Sequence, residues 1–340
     1  MYDWIHRIWY EGAATRWLLS PLSILYWLIV ALRRSLYRHG VFKQSETRVP
    51  VIVVGNITAG GTGKTPTTAW LAQRLRERGF SPGIVSRGYG GSKANTPMRV
   101  DIGSDPAIVG DEPVLLAMRA ECPVIVDADR VRAAAMLVDD GVDVIIADDG
   151  LQHYRMARDY EICVIDGIRG LGNRWMLPAG PLREPVGRLY DIDQVLVNGR
   201  LAQPAETLSE VEQNALEFNL VAVEACRLNG SLIRQLEAFA GSTVHAVAAI
   251  GNPARFFDLL RGHGIEVIEH AYPDHATLTS GDLDYADECD ILMTEKDAVK
   301  LDRNSSDRYW YVAVELEMDP TVSGPWLAQI ESRLQARTND

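Results

Sequence analysis

The sequence predicts an α/β protein: a mostly parallel sheet flanked by helices, followed by a smaller α/β unit and preceded by an apolar helix. Three observations predict it. Short buried-strand runs, such as Val51–Val54, Pro123–Asp127 and Val142–Ala147, alternate with stretches of helical character. Alternation of this kind implies right-handed crossovers and a sheet covered on both faces. The first strand runs directly into Gly60-Gly61-Thr62-Gly63-Lys64-Thr65 and then a helix from Pro66 to Arg78. Near the amino terminus, Trp17 to Leu32 carries no charge and is followed by Arg33, Arg34 and Arg38.

The amino-terminal segment, residues 1–44, holds six Lys/Arg against two Asp/Glu, a net charge of +4 in a chain of −12. Its uncharged run of 16 residues would make a helix of about 24 Å at ~1.5 Å per residue. That is short of the ~30 Å hydrocarbon core, and Pro21 weakens a full span further. Trp, Tyr and Arg crowd the ends of the run, as they do in interfacial or anchoring helices. Asp3 and Glu11 precede it and no small-residue cleavage site follows, which argues against a secretory signal. The expectation is a membrane-associating helix with the rest of the chain in the cytoplasm.

From Thr58 to Thr65 (Thr58, Ala59, Gly60, Gly61, Thr62, Gly63, Lys64, Thr65) the chain has the composition of a phosphate-binding P-loop. Glycines let backbone N–H groups converge on phosphate oxygens, a lysine reaches the β/γ-phosphates, and a threonine hydroxyl serves Mg²⁺. Pro66 suits a first helical turn, where no N–H bond is lost. The fold class is therefore P-loop NTPase-like. One position departs from the strict motif, Thr58 standing where it has glycine.

Further along, Ser81–Ser86 is a strand leading to the loop Arg87-Gly88-Tyr89-Gly90-Gly91, and Asp101–Glu112 is polar and turn-rich. Pro113–Arg119 and Arg130–Asp139 are helices, and Glu161–Ile165 and Gln194–Val197 are strands. The strand ending at Ala147 is followed by Asp148-Asp149-Gly150. Carboxylates at the C-terminal edge of a buried strand are where a nucleotide-bound Mg²⁺ is held. Adjacent acids alternate direction in an extended chain, so one faces the metal, and the sequence does not say which. On spacing alone, Asp111 in Gly110-Asp111-Glu112-Pro113 is as readily an N-cap as a catalytic acid. His275 in Pro273-Asp274-His275 carries no assignment by itself, nor do Asn173-Arg174 and Thr294-Glu295-Lys296-Asp297.

Composition shifts across residues 199–215, giving a division into 1–44, a P-loop core over 45–205, and a smaller α/β unit over 206–340 that contributes His275. In that unit Thr243–Ile250, Glu266–His270, Ile291–Thr294 and Trp310–Val314 are strands, and Pro253–Gly262 is a helix. The hydrophobic content of 47% is that of a folded chain, and the acidic balance excludes a nonspecific nucleic-acid binder. Cys122, Cys163, Cys226 and Cys289 are too dispersed in sequence for a metal or redox motif and suit a reducing compartment. No protein partner is required by anything in the sequence.

Taken together, Gly55–Pro66, Ser86-Arg87-Gly88-Tyr89-Gly90, Gly110-Asp111-Glu112-Pro113 and Asp148-Asp149-Gly150-Leu151-Gln152-His153 resemble the motifs of the tetraacyldisaccharide 4′-kinases of Gram-negative bacteria. So do Leu177–Glu184, Gly251-Asn252-Pro253, Pro273-Asp274-His275 and Thr294-Glu295-Lys296-Asp297-Ala298, in order along the chain. Thr58 is that family's own form of the loop. The resemblance implies ATP-dependent, Mg²⁺-assisted phosphorylation of the 4′-hydroxyl of a tetraacylated glucosamine disaccharide 1-phosphate at the inner face of the inner membrane. It implies that Asp111 pairs with His275 to activate the sugar hydroxyl, with Lys64 neutralising phosphoryl charge. Thr65, Asp148 and Asp149 are the candidate metal ligands, with Glu112 and Gln152 next to them. Arg87, Arg130, Asn173 and Arg174, with Tyr89 and His153 from the matching motifs, are the candidate substrate contacts; Arg183 is a further basic group.

Two other classes fit less well. A switch GTPase needs Asp-x-x-Gly after the acidic strand and a Lys-x-Asp guanine reader in register, and Asp148-Asp149-Gly150-Leu151 and Thr294-Glu295-Lys296-Asp297 supply neither. A partner-recruiting membrane ATPase carries a signature lysine where this chain has Ala59.

Overall fold

The computed structural model describes residues 2–11, 15–88, 91, 96–201, 214–273, 276–302 and 306–339. Two helices lead the chain, α1 (Tyr2–Tyr10) and α2 (Arg16–Arg38). The P-loop half follows as β1 (Val51–Gly55), α3 (Lys64–Glu77), β2 (Pro82–Ser86), β3 (Met98–Val100), α4 (Pro106–Val109), α5 (Asp111–Arg119), β4 (Val124–Val126), α6 (Arg130–Asp139), β5 (Val144–Asp148), β6 (Tyr160–Asp166) and β7 (Gln194–Asn198). Then come β8 (Leu216–Arg227), β9 (Ile233–Gln235), β10 (Thr243–Ala248), α7 (Pro253–Gly262), β11 (Glu266–Ala271), β12 (Ile291–Thr294), α8 (Glu295–Ala298), β13 (Tyr309–Glu317) and α9 (Pro320–Asn339).

The strands form one continuous sheet in the order β11-β10-β12-β13-β8-β7-β6-β1-β5-β2-β4-β3, with β9 beside β8. Most pairings are parallel; β3 on β4, β13 on β8 and β9 on β8 are antiparallel. β1 lies centrally between β5 and β6. Its side chains alternate between the two faces, as the strand period demands. Ile52 and Val54 join a core with α3, α5 and α9, whereas Val51 and Val53 join a second core containing α6 and Tyr26 and Val30 of α2.

Several elements depart from the sequence expectation. The P-loop helix begins at Lys64 rather than Pro66, and α5 begins at Asp111 rather than Pro113. Asp111 is thus the first helical residue, with Gly110 at φ 91° as its cap. The long strand β8 escaped the pattern because its burial is irregular and Glu217, Asn219 and Glu224 interrupt it. Its first residues pair in parallel with β7 and the rest antiparallel with β13, so one strand joins the two halves of the sheet. The division expected at 205/206 falls among residues 202–213, outside the described ones.

Helix α9 returns from the second half to the first. Trp326 stacks on Trp70 of α3 with ring centroids 6.1 Å apart, and its indole N–H donates to Tyr160 Oη at 3.1 Å. Helix α2 is longer than the apolar run that announced it. At 23 residues it measures about 35 Å. One stripe of it is docked on the body: Ser23 Oγ donates to the Met176 carbonyl at 2.7 Å, Tyr26 Oη donates to the Arg183 carbonyl at 3.3 Å, and Arg34 pairs with Asp191. The opposite stripe, Leu18, Leu22, Leu25, Ile29 and Leu32, is exposed.

Candidate active site

The C-terminal ends of β1, β2, β5 and β7 lie on one edge of the sheet, the edge where ligands bind in such folds. β12 runs the opposite way, and the residues after its C-terminal end come to the same place from the second half, Lys296 reaching Asp111 and Glu112. The loop after β1 is braced from several sides. Asn56 Nδ2 donates to the Gly60 carbonyl at 3.2 Å, Asn198 Nδ2 to the Thr62 carbonyl at 3.3 Å, and Arg169 to the Gly61 carbonyl. The Ala59 N–H bonds the Pro181 carbonyl at 2.7 Å and buried Thr58 pairs with Leu182, tying the loop to the Leu177–Glu184 segment. Gly60 and Gly63 have φ of 106° and 102°, which only glycine adopts without strain. Lys64 and Thr65 then open α3, so the helix's positive end faces the loop.

Beside the loop stand Asp148, the last residue of β5, and Asp149 after it, and the structure separates their surroundings. Asp148 is buried and accepts a hydrogen bond from Thr68 Oγ1 at 3.0 Å. Burial, reinforced by Glu112 and Asp149 nearby, pushes its carboxyl up to about 7. Asp149 turns away because its backbone is left-handed, φ 47°, not through the alternation of an extended chain. Its carboxylate meets Lys64 Nζ at 3.6 Å and Arg183 Nη1 at 3.1 Å. Burial acts to raise its pKa, yet Lys64, Arg183 and Arg130 outweigh that and hold the carboxyl down to about 2.

Gln152 donates to the Asn56 carbonyl at 3.0 Å, which leaves its buried Oε1 without a protein partner. An unpartnered carbonyl oxygen in the loop after β5, with the Asp148 and Glu112 carboxylates, has the hard-oxygen chemistry that Mg²⁺ takes. Arg130, almost fully buried, and His153 likewise carry buried ring or guanidinium nitrogens without hydrogen-bond partners. Burial, with Arg130 and Arg158 adding to it, lowers His153 to about 4, so it is neutral at physiological pH. Arg87 is exposed at the end of β2 and acts electrostatically on Arg130.

Asp111 and Glu112 sit at the start of α5. Buried Asp111 accepts the Glu112 N–H at 2.9 Å, and Lys296 Nζ lies 3.9 Å from Asp111 Oδ2 and 3.5 Å from Glu112 Oε1. Asn173 stands apart from this group: its amide bonds the Ile8 and Ala179 carbonyls and the Trp175 N–H, stitching α1 to the following loop. Arg174 beside it is exposed, in a left-handed conformation. Tyr89 and His275 lie outside the described residues. Sequence reasoning gave no role to Asn56 or Thr68. A polar residue between a buried strand and a glycine-rich loop, and a threonine one turn into the helix, were the signals available. At the far end of the second half, Cys289 lies within reach of His245 and Asp287, a spatial grouping its sequence position did not show. That carboxylate is already hydrogen-bonded by His245 at 3.0 Å and paired with Arg308 at 3.7 Å.

A family model described as tetraacyldisaccharide-1-P 4′-kinase matches residues 15–332. The chain belongs to that family. Tetraacyldisaccharide 4′-kinases of Nitrosococcus oceani and Aromatoleum aromaticum are 44% and 49% identical to it, covering 98% and 90% of this chain and 96% and 91% of their own. In three dimensions it is similar to LpxK of Aquifex aeolicus, solved in complex with ATP. The TM-score is 0.79 at 27% identity, over 94% of this chain and 99% of that one. The protein is accordingly a P-loop kinase of lipid A biosynthesis, which uses ATP to phosphorylate the 4′-hydroxyl of a tetraacyldisaccharide 1-phosphate.

Proposed function

We propose that the acceptor hydroxyl is activated by Asp111, with His275 orienting that carboxylate, while Lys64 and the loop from Thr58 to Thr65 hold the phosphates of ATP. The observation that carries this reading is the convergence of Lys64, the Asp148–Asp149 pair and Asp111–Glu112 at a single sheet edge, although these residues come from three separate segments. Phosphoryl transfer asks the protein for positioning and charge compensation more than covalent chemistry, and for a carboxylate to take the hydroxyl proton.

Mg²⁺ would be held by Thr65 and Asp148, with Glu112 and Gln152 adjacent. Asp149, already neutralised by Lys64 and Arg183, would act by placing the lysine. When bound, the ion neutralises charge on the phosphoryl oxygens. The reading is supported by the unpartnered Gln152 Oε1 and by buried Asp148, whose carboxyl is raised by burial and further by Glu112 and Asp149. Arg87, Arg130 and His153 would receive an anionic group of nucleotide or substrate, which the unpartnered nitrogens of Arg130 and His153 support. Tyr89 and Arg174 are further candidates. The Asn173 amide is spent within the fold, so it would shape the loop rather than bind.

Helix α2 would lie in the cytoplasmic membrane interface, not across the bilayer. It is bonded to the body from Ser23 to Arg34, and a spanning helix would drag that body into lipid. The exposed Leu18–Leu32 stripe would enter the acyl boundary while Arg33, Arg34 and Arg38 stay with the headgroups.

The test is transfer of labelled phosphate from γ-³²P-ATP to tetraacyldisaccharide 1-phosphate by wild type, Asp111→Ala, His275→Ala and the double variant. Asp111→Ala is expected to lose roughly 10²–10⁴-fold in kcat, and the double variant little more, since residues acting as one unit are non-additive. Losses that multiply cleanly would dissolve the dyad.

A further inference from the structure

We propose that Lys296 is a positioning residue for phosphoryl transfer, reaching from the second half of the sheet to hold the Asp111 and Glu112 carboxylates. The proposal rests on Asp111 being the residue that activates the acceptor. Lys296 follows β12 by two residues, and its ammonium bridges both acids at 3.9 and 3.5 Å with only 18% of its side chain exposed. An exposed lysine pair would contribute little. This one is sheltered, and the turn that presents it is rigid.

Every other polar member of that turn is committed to holding it. Asp297, fully buried, accepts the Ala249 N–H at 2.9 Å, the Thr294 hydroxyl at 2.6 Å and Lys300 Nζ at 2.9 Å. Glu295 takes Arg119 Nε at 2.7 Å and the Val314 N–H at 3.2 Å. Arg119 is the last residue of α5, and Asp111 and Glu112 are its first two. Two adjacent residues, Glu295 and Lys296, therefore grip the same short helix at opposite ends. The turn fixes where α5 lies, and Lys296 fixes where its leading carboxylates point.

The charge pattern gives the reason for a cation there. Asp111, Glu112 and Asp148 crowd one corner, and Glu112 already acts electrostatically on Asp148. Without an opposing charge, neighbouring carboxylates rotate apart. Lys64 stands against Asp149, and Lys296 stands against the Asp111–Glu112 pair. A displacement of about 1 Å in a reacting group can cost ~10²-fold in rate.

Steady-state kinetics of full-length Lys296→Met, Lys296→Gln and Lys296→Arg, each checked by thermal unfolding, test this directly. Met and Gln should lower kcat by roughly 10–100-fold while KM for ATP moves less than about threefold, and Arg should recover most of the loss. Placed on Asp111→Asn, Lys296→Met should cost less than about threefold more. Wild-type kcat in Met and Gln, a loss in KM alone, or Arg as impaired as Met would each overturn the proposal. So would a full multiplicative loss on Asp111→Asn. If Asp111→Asn alone keeps near-wild-type kcat, the acceptor-activation reading fails; a Lys296→Met defect in that case acts elsewhere, and the positioning role goes with it. An active Lys296→Met beside an inactive Asp111→Asn sinks the Lys296 role only.

Discussion

Lys64 Nζ lies 3.6 Å from Asp149 Oδ1, so the lysine that opens the P-loop helix rests on the acid that follows β5. The Asp149 carboxyl, held down to about 2, keeps its charge throughout the working pH range. On the proposed reading the same ammonium also meets the nucleotide phosphates. Lys64→Ala should therefore reduce kcat by at least ~10²-fold, the scale of ~3–4 kcal/mol that a preorganised electrostatic group supplies. Single-turnover transfer measurements at saturating ATP would show it. Near-wild-type turnover would make the loop a structural turn.

Asp148 behaves in the opposite way. Its carboxyl is raised from an ordinary 3.8 to about 7, so near neutral pH it is part-protonated without metal. Metal ligands must be deprotonated. The Mg²⁺ concentration for half-maximal activity should therefore fall as pH rises from about 6 to 8, and Asp148→Asn should flatten that slope. A Mg²⁺ requirement that ignores pH would remove Asp148 from the metal site.

The same raised carboxyl bears on stability. Between about pH 4 and 7 the folded state holds a proton on Asp148 that the unfolded chain has released. Stability from this group is thus complete below pH 4 and is lost as pH climbs through 7. Metal-free Asp148→Asn should melt several degrees above wild type at pH 8 and lose that advantage in acid. Calorimetric melting at the two pH values is the check.

The two stripes of α2 should respond differently to substitution. Leu25→Glu with Ile29→Glu, on the exposed stripe, should leave the melting temperature unchanged and abolish co-sedimentation with anionic vesicles. Ser23→Val, on the docked stripe, removes one of the two hydrogen bonds to the Met176 carbonyl, which keeps the Gly180 N–H, and should cost ~0.5–1.5 kcal/mol in denaturant unfolding. Vesicle binding that survives the glutamates would place the lipid-binding surface elsewhere.

Trp326 is far from the chemistry along the chain but belongs to the core beneath the P-loop helix. Trp326→Ala removes the stack on Trp70 and the hydrogen bond to Tyr160, and should destabilise by ~3–5 kcal/mol. Equilibrium unfolding would register it; a loss below 1 kcal/mol would mean that α9 is only loosely attached.

By itself the sequence determined what is local. A strand, a glycine-rich turn and a lysine–threonine helix start, contiguous from Val51 to Thr65, mark a candidate phosphate site, because backbone N–H groups and one cation can meet the same oxygens. The place of Asp148 and Asp149 at the end of a buried strand was legible too, because the strand and its acids are contiguous, as were the buried strands that alternate with helices. Only the tertiary structure decided what depends on residues far apart in the chain. Which way Asp149 faces follows from a left-handed backbone that no pattern announces. The docking of α2, the return of α9 across 166 positions to Tyr160, and the reach of Lys296 across 184 positions to Glu112 follow from packing. Such contacts form only once burial of both cores has placed the elements, since closing loops of that length is an entropic cost that no local propensity repays.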